Sequence, residues 1–171
     1  AIVTVFAKSG NSGGAGNSTS ITETSEGDAE LNITDTPKAT TTSKTGSALT
    51  SAEVYAKVSP SNVGIVVYSQ SSSSASGEGS GIVMGENKDH TCTYIITCAH
   101  VISGEGVKAV VQLHDGKQYD AEIVGTDEMN DVALLKIDAT GLQAVTIGDS
   151  DQIEVGEEVI AIGNPLGELT F

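Results

Sequence analysis

The residues best suited to proton transfer are the three histidines, His90, His100 and His114. His90 follows Asp89, and His114 precedes Asp115-Gly116, so both read as solvated turn residues. His100 differs because it ends an apolar run, Tyr94-Ile95-Ile96-Thr97-Cys98-Ala99-His100-Val101. A lone histidine at a strand end is ordinarily structural. A carboxylate elsewhere in the chain changes that reading. Asp131 lies 31 residues later and opens another apolar run, Asp131-Val132-Ala133-Leu134-Leu135-Lys136-Ile137. At the mouth of a barrel strand it would be partly desolvated, and costly there without a partner. An imidazole at the end of a neighbouring strand supplies one. Such a carboxylate accepts the Nδ1–H, fixes the tautomer and steadies the imidazolium formed on proton uptake.

The two cysteines invite a metal or thiol reading that their spacing opposes. His90, Cys92, Cys98 and His100 share one parity, so a strand would place them on one face. At about 3.3 Å per residue they would spread over roughly 30 Å. Four ligands do not converge on one zinc from there. The same spread opposes a Cys92–Cys98 disulfide, whose Cα atoms must lie within about 7 Å. Both cysteines are expected to be small buried hydrophobes. Cys98, two residues along the strand from His100, approaches from the wrong side to serve as a nucleophile on a substrate held by that ring. No metal site is expected.

The elements that must position His100 and Asp131 begin near Ala52. From Ser9 to Ser51, 18 of 43 residues are Ser or Thr, and apolar residues show neither period 2 nor period 3.6. This stretch reads as a disordered linker, since it cannot bury enough apolar surface to offset its ordering entropy. It contains two glycosylation-type triplets, Asn17-Ser18-Thr19 and Asn32-Ile33-Thr34, which arise easily in such composition. Residues 1–51 are therefore expected to be an apolar stub, Ala1 to Ala7, and a linker. The stub reads equally as the end of a membrane anchor and as a stray strand. Residues 52–171 carry the domain. Strands are expected at Asn62–Tyr68, Gly81–Met84, Tyr94–Thr97, Val107–Leu113, Gln118–Gly125, Asp131–Ile137, Ala144–Ile147 and Glu158–Ile162. Gln70–Gly77 reads as a loop, and Asp115-Gly116 as a hairpin turn. Helix is limited to Ser51–Val58 and one turn after Ala99. The fold class is all-β, a barrel or sandwich.

Charge removes two classes of partner. Eight Lys and no Arg face 23 acidic residues, for a net charge of −15. No basic stripe exists to displace counterions from nucleic acid or to meet an anionic membrane. No apolar run approaches the roughly 20 residues of a transmembrane helix.

A family resemblance now attaches to particular residues. Gly79-Ser80-Gly81-Ile82-Val83, the run Tyr94 to Val101, Asp131 to Ile137, Gly148-Asp149-Ser150-Asp151, and Val155-Gly156-Glu157 followed by Val159 to Pro165 occur in the order found in HtrA (DegP) proteases. The chain resembles the first half of such a trypsin-like serine protease domain over about Ala52 to Gly167. The resemblance implies a two-barrel fold, represented here by the first antiparallel barrel and the first strand of the second, Glu158 to Pro165. It implies that His100 is the general base and Asp131 its orienting acid. The family's nucleophile sits in a Gly-Asn-Ser-Gly-Gly-Pro turn downstream of Gly-Asn-Pro, a stretch absent from these residues. Gly10-Asn11-Ser12-Gly13-Gly14 imitates that turn but lies in the linker, ahead of the histidine, where oxyanion donors cannot be preorganised. Gly148-Asp149-Ser150 also resembles a nucleophile motif, but Asp151 and Gln152 replace the glycines, so it reads as a surface turn.

The expected function is that of a serine endopeptidase of the HtrA type acting on unfolded or damaged extracytoplasmic proteins. The chain is expected to be inactive alone, and the whole protein membrane-anchored, in keeping with a role in protein quality control. No metal or organic cofactor is implied. The family implies unfolded polypeptides as partners, no nucleic acid, and homo-trimers in the full-length protein. The alternative is a non-catalytic β-barrel binding or surface module of protease ancestry. Glu158 to Phe171 is expected to pack on the barrel or a neighbouring chain, or to be poorly fixed, because a lone strand exposes an unpaired edge.

Overall fold

The computed structural model describes residues 4–5, 49–69, 74–104 and 106–164. The linker with its Gly10–Gly14 motif and glycosylation-type triplets, most of the apolar stub, residues 70–73 of the expected loop and Pro165 to Phe171 lie outside the described residues.

In chain order the elements are β1 (Thr4–Val5), α1 (Ser51–Val58), β2 (Asn62–Tyr68), β3 (Ala75–Glu86), β4 (Thr93–Thr97), β5 (Lys108–Gln112), β6 (Gln118–Asp127), β7 (Val132–Ile137) and β8 (Ile160–Ala161). Short 3₁₀ turns occupy Ser59–Ser61, Ala99–Ile102 and Ser150–Gln152. Strands β2 to β7 close into a barrel in the order β2-β3-β4-β7-β6-β5, with β5 returning to β2. Every barrel pairing is antiparallel. Closure leaves the barrel no free edge.

Alternation explains the interior. In β4 and β7 every second side chain is buried, and Ile95, Leu135 and Ile137 point inward with Val63, Ile65, Val83 and Val111 from other strands. Strand β2 departs from alternation: Asn62 to Val67 are all buried. Its outer side is covered by the segment around Ile162 to Asn164. The Asn62 side-chain amide donates to the Ile162 carbonyl at 3.4 Å, and the Asn164 backbone N–H donates to Ser80 Oγ at 2.6 Å. Helix α1 begins with a reciprocal capping box, in which Thr50 Oγ1 accepts from the Glu53 N–H and the Glu53 carboxylate accepts from the Thr50 N–H.

Several boundaries differ from expectation. β3 begins at Ala75, inside the expected Ser-rich loop, and runs through Gly77, Gly79 and Gly81. Residues 144–147 form no strand; the Val145 N–H donates to the Val83 carbonyl at 2.8 Å and Ile147 makes a single bridge. The expected strand Glu158–Ile162 shrinks to Ile160–Ala161, and it pairs with Thr4–Val5 rather than with the barrel. The Asp115-Gly116 hairpin turn is present, with Gly116 at φ +82°, a conformation that glycine adopts without strain. Among the described residues no helix is long and apolar enough to cross a membrane.

Candidate active site

His100 sits not on β4 itself but in the 3₁₀ turn Ala99–Ile102 that follows it. The buried side chains of Ala99, Val101 and Ile102 tie this turn to the barrel, leaving His100 outward. Ser103 Oγ donates to the His100 carbonyl at 2.9 Å, closing the turn. Beneath it runs β3. A Cβ on Gly79 would stand 2.7 and 2.8 Å from the two Val101 methyls, so the missing side chain is what lets the turn settle against the strand.

Asp131 stands one residue before β7, in the turn from β6, with φ +55°. Aspartate tolerates this left-handed conformation better than most residues. Asp127 fastens the turn: its carboxylate accepts from the Asn130 N–H at 3.0 Å and from the Asn130 side-chain amide at 2.6 Å. Because β7 pairs with β4, the turn before β7 meets the turn after β4 at one rim of the barrel.

At that rim the Asp131 carboxylate grips His100 twice. Oδ2 lies 2.6 Å from Nδ1, and Oδ1 accepts the His100 backbone N–H at 2.9 Å. These bonds, the backbone one first and the ring one next, hold the Asp131 carboxyl below the usual aspartate range. An ionised carboxylate only accepts, so Nδ1 carries the proton and the neutral ring presents Nε2 as an acceptor. The pair lies partly open to solvent: the His100 and Asp131 side chains are 62% and 45% exposed. Desolvation opposes the charge on Asp131, and the two hydrogen bonds to His100 outweigh it.

Next to His100 lies a cleft of about 280 Å³ whose walls include Val67, Ser76, Glu78, Val101 and Ser103. Neither hydroxyl there is set up as a nucleophile. Ser103 Oγ donates to the His100 carbonyl at 2.9 Å, and Ser76 Oγ donates to the Val67 carbonyl at 3.1 Å. A second hollow, of about 260 Å³, lies between Asp120, Glu122 and Lys136 and contains no histidine or hydroxyl.

The other residues weighed from sequence fall elsewhere. His90, in the β3–β4 turn, is bound through Nδ1 to Glu86 Oε2 at 2.6 Å. His114 is exposed in the β5–β6 hairpin turn. Cys92 is buried and Cys98 only partly so, and both are free thiols. The expectation that both are buried hydrophobes holds for Cys92 and only in part for Cys98, which packs partly buried against the core and also approaches Asp131; burial, followed by the charge of Asp131, pushes its thiol pKa up. A thiol held protonated in this way is a poor nucleophile. Its approach to Asp131 was hidden in the sequence because strand parity breaks at the 3₁₀ turn. The Gly79 cradle left a trace, a Gly-x-Gly in a strand, which signals close backbone approach.

The model of the trypsin-like peptidase domain family matches residues 79–171, more than half of the chain. A probable periplasmic serine endoprotease, DegP-like, from Halomonas elongata is 45% identical over 89 residues, 52% of this chain and 18% of the relative. Its counterpart from Chlamydia trachomatis is 44% identical over 89 residues, 52% of this chain and 17% of the relative. The periplasmic pH-dependent serine endoprotease DegQ of Escherichia coli is 39% identical over 92 residues, 53% of this chain and 19% of the relative. The chain thus spans less than a fifth of the length of these curated relatives. A closed antiparallel barrel, the matched residues and these relatives lead to one assignment: the chain belongs to the family of trypsin-like peptidase domains.

Proposed function

We propose that residues 52–171 carry the base-and-acid half of a serine endopeptidase of the DegP type, with residues 1–51 as an apolar stub and linker. His100 Nε2 takes the proton from a serine hydroxyl as that oxygen attacks a peptide carbonyl. The imidazolium then returns the proton to the leaving amine. Asp131 stays ionised and holds the ring throughout. The observation carrying this reading is the two-point grip of Asp131 on His100, through Nδ1 at 2.6 Å and the backbone N–H at 2.9 Å. The nucleophile and oxyanion donors come from outside the 171 residues, so this chain alone is inactive. Extracytoplasmic polypeptides are the substrates, a reading supported by relatives named as periplasmic serine endoproteases, and the resemblance to the HtrA type implies unfolded ones. In the whole protein an anchor preceding the linker would tether the domain to a membrane, and copies would assemble as trimers.

The test is hydrolysis of an unfolded polypeptide by the protein translated through its complete reading frame. It should cleave, and His100→Ala should abolish cleavage, whereas the 171-residue chain should not cleave. Equal turnover by wild type and His100→Ala would refute the assignment. A reading frame that yields a folded protein without turnover would favour a non-catalytic barrel module.

A further inference from the structure

Three ligand atoms of different chemistry meet at the barrel rim: one each from the Cys98 thiol, the His100 ring and the Asp131 carboxylate, all within 4.8 Å of one another. Among the described residues, no other three His, Cys, Asp or Glu side chains gather in this way. We propose that this trio is a binding site for a thiophilic divalent cation, Zn²⁺ by its donor set, and that occupation disables the His100–Asp131 pair. The His90-to-His100 run is not the origin of the site, since His90 turns away to Glu86. Asp131, from a distant strand, supplies the third donor instead.

The donor set and its spacing carry the argument. Thiolate, imidazole and carboxylate are zinc's own ligands, with bonds of about 2.3 Å to sulfur and about 2.0–2.2 Å to nitrogen and oxygen. At tetrahedral angles such bonds place donors roughly 3.3–3.6 Å apart. Three donors inside 4.8 Å need only small rotations to reach that spacing. Nδ1 and Oδ2, now 2.6 Å apart, must separate by roughly 0.7 Å to admit the ion between them. The backbone tolerates this, because Oδ1 remains anchored on the His100 N–H at 2.9 Å while Oδ2 and the ring turn. Cys98 precedes the 3₁₀ turn and His100 lies within it, so two ligands share one short, packed segment. The exposed flank of the pair leaves the fourth position to water, the arrangement of an open zinc site.

Proton balance shows why the ion would inhibit. Cys98 loses its S–H proton to solvent and binds as thiolate. Zn²⁺ takes the Nδ1 lone pair, so the single proton of the neutral ring moves to Nε2. A protonated Nε2 cannot accept a hydroxyl proton, and Asp131 no longer orients the ring. Binding does not depend on the proteolytic reading; inhibition does.

The test is titration of the 171-residue chain with Zn²⁺ by calorimetry, and with Co²⁺ by absorption. One Zn²⁺ per chain and a thiolate-to-Co²⁺ charge-transfer band are expected. Cys98→Ser should lose the band and weaken Zn²⁺ by about tenfold or more. Cys92→Ser should keep both. Circular dichroism checks that each variant is folded, and Cys98→Ala repeats the test should the serine disturb the turn. Absence of Zn²⁺ binding, affinity unchanged in Cys98→Ser, or a band that follows Cys92 would overturn the site. Neither readout involves peptide hydrolysis, so failure of the metal site and failure of the protease assignment are separable.

Discussion

Replacing Gly79 by alanine tests how the histidine is placed. The new Cβ would lie 2.7 Å from Val101 Cγ1 and 2.8 Å from Cγ2. Carbon atoms rest at about 3.5–4.0 Å, so the shortfall is close to an ångström. Rotating Val101 gives little relief, because both its methyls face the glycine and a β-branched side chain is stiff at χ1. The 3₁₀ turn must therefore retreat from β3, carrying His100 with it. Overpacking of this kind costs about 1–3 kcal/mol. Val101→Ala removes both methyls and alone should cost about 2 kcal/mol, since Val101 is buried. In the double variant the nearest atom left to the alanine Cβ is the Val101 Cβ, at 3.4 Å, which is ordinary contact. Urea unfolding of the four proteins should therefore give a favourable coupling of about 1–2 kcal/mol. The amide resonance of His100, whose proton lies on Asp131 Oδ1, should shift in Gly79→Ala and return towards its original position in the double variant. In the complete enzyme proposed above, an ångström of displacement should lower turnover by as much as about 100-fold. Additivity within about 0.5 kcal/mol, or a Gly79→Ala chain as stable as wild type, would refute the cradle.

Further outcomes follow from the same rim and from the opposite turn. Asp131→Asn should leave the chain folded, because asparagine also accepts the left-handed backbone of this position. In the complete enzyme it should lower kcat by about 10³–10⁴-fold, measured on an unfolded substrate, because the amide no longer enforces the Nδ1–H tautomer. Glu86 accepts the Gly141 N–H and binds His90, and these bonds, in that order, hold its carboxyl below the glutamate range. A depressed folded pKa means a stabilising contribution that is complete above the unfolded value of about 4.3 and fades as pH falls through the folded value. Thermal melts should therefore show wild type exceeding Glu86→Gln near neutrality, with the gap closing below about pH 4; a gap that widens in acid would contradict the linkage.

The barrel was legible because its strands announce themselves locally. Asn62–Tyr68 and Tyr94–Thr97 are β-branched or aromatic runs, and Asp115-Gly116 marks its own turn. The pairing of His100 with Asp131 was legible for a different reason: each polar group stands at one end of an apolar run, and pairing of those runs brings the two together. What could not be read is what depends on backbone dihedrals and distant packing. The left-handed φ of Asp131 takes it out of β7, and no alternation pattern reveals that. The start of β3 from Ala75 to Gly77 looked like loop, since it has few strand-forming side chains; Gly79 is what brings the strand under the Val101 turn. The Ala144–Ile147 run has strand composition, yet only single bonds, such as that to Val83, tie it to the barrel. The approach of Cys98 to Asp131 was not legible because the chain bends beside it, swinging a side chain assigned to a strand face towards another loop's carboxylate.

Asp131 holds the His100 ring with its proton on Nδ1 and its lone pair on Nε2. The ¹⁵N shifts of the imidazole in the neutral 171-residue chain report this directly. The Nδ1–H form is expected, with a low-field Nδ1 proton that disappears in Asp131→Asn. An Nε2–H ring in the wild-type chain, or a spectrum unchanged by Asp131→Asn, would contradict it.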